Sequence, residues 1–525
     1  MSATPTVTPA QAGPRPSEVV AVEIAELAAL SGAGLAGAPA EGVRVTGVTL
    51  RTGDVHPGDL FAALPGARSH GADHAAAALA AGAVAVLTDP AGLSRGALDG
   101  TGTRAGAGGG VPVLVHDSPR EVLGALAARV YGDPTAGLGV IGVTGTSGKT
   151  TVSYLIEAGL KAAGLVTGLI GTVRTTIGDQ VWDSALTTPE APELQALFAI
   201  MRERGVQRAV MEVSSHALSL HRVDGTRFAV GAFTNLSQDH LDFHDDMESY
   251  FAAKSLLFDG RAGVEVVNAD DEWARRLIRE GTRTVSAAGR ADAAWRAERV
   301  RPRPDGGQDF VAVAPDGARV TVNLPLPGAF MVANALLAMA CLDAAGVPAE
   351  TAARGMAEVA VPGRLERVDE GQPFLALVDY AHKPGAVAAL LDTLRARLKP
   401  SGKLVVVLGC GGDRDTAKRP VMGAAAAARA ELLIITDDNP RSEAPGTIRA
   451  AMRAGALAAP PLGEVLEIGD RRDAINAAVA RAGADDILVV AGKGHETGQR
   501  VGDTTRPFSD VDELAAALRE WVGAR

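Results

Sequence analysis

The sequence predicts a three-domain α/β protein, with a parallel sheet in its middle block and a second, Rossmann-like sheet in its C-terminal block. Three observations lead there. A chain of 525 residues is longer than one hydrophobic core usually serves. Short runs rich in Val, Ile and Leu alternate with longer amphipathic stretches, the pattern of strand–helix–strand units. One such run also leads straight into a Gly-rich loop that opens a helix, at residues 142–151.

The elements follow in chain order. Residues 1–18 are rich in Pro, Thr and Ala, with neither the basic nor the apolar region of a signal peptide, and read as a disordered tail. A first domain spans 19–135, with strands expected at 43–50, 83–88 and 111–115 and a flexible Gly-rich loop at 100–110. The turn Gly132-Asp133-Pro134 marks its end. A middle domain spans 136–361. Its strands are expected at 137–143, 208–213, 228–234 and 264–268, with a helix at 150–163. Residues 283–326, with short strands at 309–314 and 318–323 around Pro-Asp-Gly turns, read as a small antiparallel appendage. The last domain, 362–525, carries strands at 374–378, 403–408, 432–436 and 487–491 separated by amphipathic helices.

The loop Gly142-Val143-Thr144-Gly145-Thr146-Ser147-Gly148-Lys149-Thr150-Thr151 carries the sharpest chemistry. Small residues let backbone N–H groups close around phosphate oxygens, and the helix start adds positive potential. Lys149 suits β- and γ-phosphates, and the Thr150 hydroxyl suits Mg²⁺. Val143 stands where the strict pattern has Gly. By itself the loop makes the middle domain a user of a nucleoside triphosphate, which fits kinases, switches, motors and ligases alike.

Glu212 ends the run 208–213, and His240 follows the run 228–234. In a parallel sheet both positions face the ligand crevice, where a carboxylate beside a P-loop suits Mg²⁺. His216 and His244 lack that placement and read as structural. Lys254 sits among apolar residues in Tyr250-Phe251-Ala252-Ala253-Lys254-Ser255-Leu256-Leu257-Phe258. It is either a surface lysine laid along apolar neighbours or a buried amine that sheds its proton and combines with CO₂.

The bulk numbers narrow the function. A net charge of −11 argues against a nucleic-acid binder. No apolar run approaches the ~20 residues of a membrane-spanning helix. Cys341 and Cys410 have no metal-ligand spacing and read as reduced thiols of a cytoplasmic protein.

Taken in order, the motifs resemble those of the Mur ligase family. They are the loop 144–151, Thr187-Thr188-Pro189, Glu212-Val213-Ser214-Ser215-His216, the stretch 235–240 and Ala253-Lys254. Asn334-Ala335-Leu336, Pro362-Gly363-Arg364, Asp379-Tyr380-Ala381-His382 and Gly409-Cys410-Gly411-Gly412-Asp413-Arg414-Asp415 follow. Asp438-Asn439-Pro440-Arg441 and Gly492-Lys493-Gly494-His495-Glu496 complete the set. The resemblance runs from about residue 43 to the C-terminus.

The resemblance implies an ATP-dependent amide ligase with a UDP-precursor-binding domain, a central ATPase and a C-terminal amino-acid-binding domain. It implies ATP on Gly145, Thr146, Ser147, Gly148, Lys149, Thr150, Thr151, Asn334, Arg364 and Asp379. Two Mg²⁺ ions are implied on Thr150, Glu212, His240 and a carbamylated Lys254, with Lys149 and His382 completing the catalytic set. The UDP-linked precursor would meet Leu50, Thr52, Thr187, Thr188, Ser214 and Arg222. Arg51-Thr52-Gly53 departs here from the family's Asp-Ser-Arg, and Met331 and Ala333 replace the usual Asn and Tyr before Asn334. Arg414, Asp438, Asn439, Pro440, Arg441, Gly492 and Glu496 would hold the incoming amino acid. The forked Arg441 fits a second, distal carboxylate, which favours diaminopimelate over lysine. The expected reaction joins diaminopimelate to the D-glutamate of UDP-N-acetylmuramoyl-L-alanyl-D-glutamate, by a monomer acting on small molecules. The rivals are a lysine-adding or folylpolyglutamate-type sibling and, from another class, a P-loop switch or transport ATPase.

Overall fold

The computed structural model describes residues 14–66, 69–95, 98, 110–182, 186–241, 243–303 and 307–524. Most of the expected tail and of the 100–110 loop lies outside these residues. The chain forms two compact units: Met1–Glu298 with Val311–Val322 and Ala333–Met356, and Arg299–Phe310 with Asn323–Val332 and Ala357–Arg525.

The first unit begins with a five-stranded sheet in the order Gly34–Gly37, Pro112–Val115, Ala85–Thr88, Asp59–Ala62, Gly47–Thr49. All its pairings are parallel except the edge strand Gly34–Gly37. The expected strand 43–50 is two strands. Arg44–Val45 pairs antiparallel with Val22–Glu23, and Gly47–Thr49 joins the main sheet, so the chain changes partner at Thr46. The sheet buries Leu60, Leu87 and Leu114 against Leu27 and the helix Pro119–Val130 on one face, and Phe61, Val86 and Val113 on the other. Burial on both faces explains the unbroken apolar runs.

The tail reading fails from Arg15 onward. The Arg15 guanidinium donates to the Asp59 carboxylate at 3.0 and 2.5 Å, to the Tyr131 hydroxyl at 3.0 Å and to the Asp54 carbonyl at 3.0 Å. Ser17 and Glu18 donate their amides to the Glu203 carboxylate. A segment of tail-like composition is ordered here because a buried carboxylate needs its cation.

The central sheet has the order Gln180–Trp182, Thr175–Ile177, Thr167–Ile170, Arg208–Glu212, Gly139–Thr144, Phe228–Phe233, Ala262–Asn268, Arg283–Ser286, and continues through Trp295–Pro302, Gln308–Val313 and Arg319–Leu324. From Thr167–Ile170 to Arg283–Ser286 every neighbour is parallel. Residues 283–326 were expected to be antiparallel. They extend the sheet of the same domain: Arg283–Ser286 and Trp295–Pro302 pair in parallel, against that expectation, whereas the neighbouring strands Gln308–Val313 and Arg319–Leu324 are joined by the tight turn 314–318 of an antiparallel hairpin, as expected. Strand Trp295–Pro302 hid its direction because only Trp295 and Ala297 are buried, and its last four residues, Arg299 to Pro302, are exposed. The helix Lys149–Ala162 buries Val152, Leu155, Ile156 and Leu160, the apolar stripe of a 3.6-residue period.

The second unit holds a six-stranded sheet in the order Glu366–Arg367, Leu375–Asp379, Ile487–Ala491, Leu404–Cys410, Leu432–Asp437, Glu464–Glu467. It is parallel apart from its first edge strand. Helices between the strands bury Leu390, Leu394, Ile475, Val479 and Leu518. Arg471 and Asp510 are a sealed ion pair, both side chains fully buried, with the guanidinium donating twice at 2.7 Å. Arg471 also donates to the Ala491 carbonyl at 3.0 Å, so the pair pins the C-terminal end of the strand Ile487–Ala491. Asp510→Ala leaves that guanidinium buried without its counter-ion. Denaturant unfolding is expected to register a loss of about 3–5 kcal/mol.

Among the described residues, no helix is long and apolar enough to cross a membrane. Cys341 and Cys410 are both buried free thiols.

Candidate active site

In the first unit the C-terminal ends of four adjacent parallel strands gather the predicted residues. The strand Gly139–Thr144 leads into the loop, whose turn needs left-handed backbone at Gly145 (φ 137°) and Gly148 (φ 89°). A Cβ at Gly148 would stand 2.7 Å from Asn334 Oδ1, so only glycine admits Asn334 beside the loop. Asn235 Oδ1 accepts the Ser147 amide at 3.1 Å, Asn235 Nδ2 donates to the Ser147 carbonyl at 3.1 Å, and Thr234 Oγ1 donates to the same carbonyl at 2.7 Å. Thr146 Oγ1 lies 3.1 Å from the Tyr250 hydroxyl. The loop is therefore clamped from the strand beside it, which is preorganisation of a phosphate cradle. Lys149, at the helix start, donates to the Gly145 and Thr146 carbonyls at 2.8 and 3.1 Å, and Thr150 and Thr151 are buried in the first helical turn.

Glu212 is the hub. It is 2% exposed. Thr150 Oγ1 donates to its carboxylate at 3.0 Å, and the Thr172 amide and hydroxyl donate at 2.9 and 3.1 Å. Thr172 Oγ1 is also 3.0 Å from Thr187 Oγ1. Thr188 Oγ1 donates to the Glu212 carbonyl at 2.8 Å and accepts the Ser214 amide at 3.1 Å. Arg222 pairs with Glu190 at 2.9 Å and donates to the Thr188 carbonyl at 3.4 Å. Glu212 thus joins the phosphate loop to Thr187 through its carboxylate and Thr172, and to Thr188, Ser214 and Arg222 through its backbone carbonyl.

Lys254 lies in the helix Met247–Ser255, started by a capping box of Asp246 and Ser249. It is 1% exposed, which excludes the surface-lysine alternative. Its Nζ donates to the Gly145 carbonyl at 2.8 Å and sits 4.8 Å from the Tyr250 ring centroid. His240, at φ 53°, is 42% exposed, 3.1 Å from Asp239 and edge-on to His216 at 4.8 Å. His244 Nε2 meets Ser215 Oγ at 3.0 Å. Among the described residues no three His, Cys, Asp or Glu side chains converge in a set able to hold a metal unaided. Leu50 and Thr52 are half-buried where the strand Gly47–Thr49 ends, Leu50 packed on the first domain's core.

The second unit gathers the others at its own strand ends. Asp379, buried, accepts the Leu365 and Ala381 amides at 2.8 Å each, and burial holds its carboxyl above the usual range. The Arg364 guanidinium lies 4.5 Å over the Tyr380 ring. His382 Nδ1 is 2.8 Å from the Tyr380 carbonyl, and burial pushes the imidazole down to about 3, so it is neutral at physiological pH and a weak base. Asn439 Nδ2 donates to Glu496 Oε2 at 2.8 Å. Arg441, at φ 54°, donates to the Gly412 carbonyl at 2.6 Å, and its amide donates to the Arg500 carbonyl. Asp438, Pro440 and Gly492 are buried. A Cβ at Gly492 would stand 2.9 Å from Asp438 Oδ2, and Arg414 is exposed on its loop.

Sequence reasoning missed Thr172, Asn235 as a clamp, Arg471 and Lys493. The signal for Thr172 was present, since Gly171-Thr172 follows the strand Thr167–Ile170 as Ser214 and Asn235 follow theirs. Pairings such as Arg471 with Asp510 join residues far apart in sequence and leave no local trace.

Three family models match the chain: the Mur ligase family catalytic domain over residues 44–131, the Mur ligase middle domain over 143–342, and the Mur ligase glutamate ligase domain over 363–494. A Corynebacterium efficiens protein named UDP-N-acetylmuramoyl-L-alanyl-D-glutamate--2,6-diaminopimelate ligase is 55% identical over 88% of this chain and 87% of its own. A protein of the same name from Streptomyces coelicolor is 52% identical over 97% of this chain and 99% of its own. A solved structure of a ligase of that name covers 91% of this chain and 96% of its own, at 32% identity and a TM-score of 0.64. With such likeness running from the first sheet to the last, and with the phosphate loop, Glu212 and Lys254 at one rim, the chain belongs to the Mur ligase family.

Proposed function

We propose that this chain is the ATP-dependent ligase that joins diaminopimelate to the D-glutamate of UDP-N-acetylmuramoyl-L-alanyl-D-glutamate, in cytoplasmic synthesis of the peptidoglycan precursor. One observation carries the reading: Glu212 is hydrogen-bonded to Thr150 of the phosphate loop and, through Thr172 and its own carbonyl, to Thr187 and Thr188. That arrangement suits bringing a triphosphate and an acceptor acid to one carboxylate. The domain division follows the same reading: 19–135 for the UDP precursor, 136–361 for ATP and 362–525 for the amino acid.

The γ-carboxylate of the D-glutamate attacks the γ-phosphorus of ATP, an acyl phosphate forms and ADP leaves. The amine of diaminopimelate then adds to the acyl carbon, and phosphate departs as the amide forms. The protein supplies position and charge for both steps. The loop amides of 145–151 and Lys149 hold the β- and γ-phosphates, Thr187, Thr188, Ser214 and Arg222 hold the precursor with Leu50 and Thr52, and Asn334, Arg364 and Asp379 hold the nucleoside. His382, neutral, accepts a hydrogen bond from the incoming amine.

Thr150 and Glu212, with His240 and Lys254, are the residues proposed to hold Mg²⁺. The fit is chemical: Mg²⁺ takes one or two carboxylates plus substrate phosphates rather than an all-protein cage, and a buried carboxylate beside a P-loop threonine is such a donor set. When bound, the ions offset the charge between nucleophile and γ-phosphate. A neutral Lys254 amine can add to CO₂, forming an N–C bond and releasing a proton. The resulting carbamate is an oxygen donor where the sequence offers only nitrogen.

Arg441 is proposed to grip the distal carboxylate, with Arg414, Asp438, Asn439, Pro440, Gly492 and Glu496 as companions. Phosphate release with the UDP-dipeptide and ATP tests the whole reading by offering meso-diaminopimelate, LL-diaminopimelate and lysine in turn. Lysine as the preferred amine would overturn it. Arg441→Lys trades a fork for a point charge, and kcat/KM for diaminopimelate should fall about 100-fold while the KM for ATP stays within about twofold.

A further inference from the structure

Beside Glu496 lies a cation that nothing above assigns. Lys493 follows the positive-φ Gly492 at the end of the strand Ile487–Ala491. Its side chain is 0% exposed, although an ammonium, like a carboxylate, is costly to strip of water. Its Nζ donates to Asn439 Oδ1 at 3.1 Å and to Glu496 Oε2 at 2.9 Å. Asn439 Nδ2 donates to that same Oε2 at 2.8 Å. Asn439 Oδ1 also accepts the Arg500 amide at 2.9 Å, which fixes the amide orientation. The three side chains form a closed triangle in which both bonds to Glu496 fall on one oxygen. Oε1 takes part in neither, and the Glu496 side chain is 32% exposed, so the sealed cation sits behind a carboxylate that reaches solvent.

A buried charge tolerated at this cost calls for a role. We infer that Lys493 is a positioning residue for amine selection: it ties down one oxygen of Glu496 so that the other is presented, in a fixed rotamer, to the second ammonium of the amino-acid substrate. A free Glu side chain would spread over several rotamers, and ordering it on binding would weaken affinity. Two donors on Oε2 order it at folding instead. The inference rests on the proposed diamine substrate and names how its second amine is read.

The test compares diaminopimelate with 2-aminopimelate, which keeps both carboxylates and lacks the distal amine. A site built to pair with an N–H group rejects an analogue lacking it, so the wild type should prefer diaminopimelate strongly. In Lys493→Met that preference, the ratio of kcat/KM values, should fall about tenfold or more, mainly through the KM for diaminopimelate, with the KM for ATP within about twofold. A purely structural lysine would lower both amines equally, and that result overturns the inference. Because loss of a buried cation can impair folding, the ratio is also measured in Glu496→Gln and in Glu496→Gln with Lys493→Met. If Lys493 acts through Glu496, adding Lys493→Met should leave the Glu496→Gln ratio unchanged, and a further equal drop overturns the inference. A wild type that ignores diaminopimelate would refute the proposed function itself, a different outcome from a wild type that uses it and a Lys493→Met variant that still discriminates.

Discussion

Glu212→Gln should lower turnover about 10³-fold, or about 4 kcal/mol of barrier, with the fold retained. The substitution keeps the shape of a side chain that is 2% exposed. It removes the negative charge and replaces one acceptor oxygen with an NH₂ group that faces donors, since Thr150 Oγ1, the Thr172 amide and Thr172 Oγ1 all point at the carboxylate. Two effects should separate in the assay. The Mg²⁺ concentration needed for half-maximal phosphate release should rise steeply, and the KM for diaminopimelate should stay near its wild-type value. A variant keeping more than about a tenth of wild-type turnover at low Mg²⁺ would remove Glu212 from the metal-holding set.

Lys254→Ala should be comparably damaging, again about 10³-fold in turnover. Nζ donates to the Gly145 carbonyl at the base of the phosphate loop, so deletion removes a group beside the triphosphate site whatever its chemical form. The form is read separately. Protein equilibrated with ¹³C-labelled bicarbonate should show a carbamate resonance that Lys254→Ala lacks, and a short carboxylate added to the variant should restore part of its turnover. Full activity of Lys254→Ala would end the carbamate role. Low activity with no labelled carbamate in the wild type would leave the lysine acting as an amine. The site makes the modification chemically reasonable, because the side chain is 1% exposed and its Nζ is held at the phosphate loop by the Gly145 carbonyl.

Much of the fold was legible because parallel strands buried on both faces must be apolar throughout. Runs such as Val140-Ile141 in Gly139–Thr144 and Val405-Val406-Val407 in Leu404–Cys410 announce themselves. The misreadings have the converse cause. Trp295–Pro302 is half exposed and charged, so its place in the sheet is set by Trp295 and Ala297 alone. Thr46 separates two short strands that pair in opposite senses, and nothing in 43–50 marks the switch. The site divides the same way. The phosphate loop, Glu212 and Arg441 stand where strands end, which sequence can locate. Arg471 owes its role to a partner 39 positions away, and Lys493 is bound to Glu496 three positions on but also to Asn439 54 positions back; such distant partners it cannot locate. Lys254 lay between: its apolar neighbours allowed either burial or a surface position, and packing of the helix Met247–Ser255 decided for burial.

The anchoring of Arg15 has a practical corollary for anyone preparing the enzyme. Asp59 keeps its carboxylate at 2% exposure with Arg15 as its ion-pair partner. Trimming the apparently dispensable leader back to residue 19 would strand that anion in the first domain's interior, whereas a purification tag ending before residue 14 would leave the pair whole. The composition of those opening residues is a poor guide to where a cloning boundary belongs.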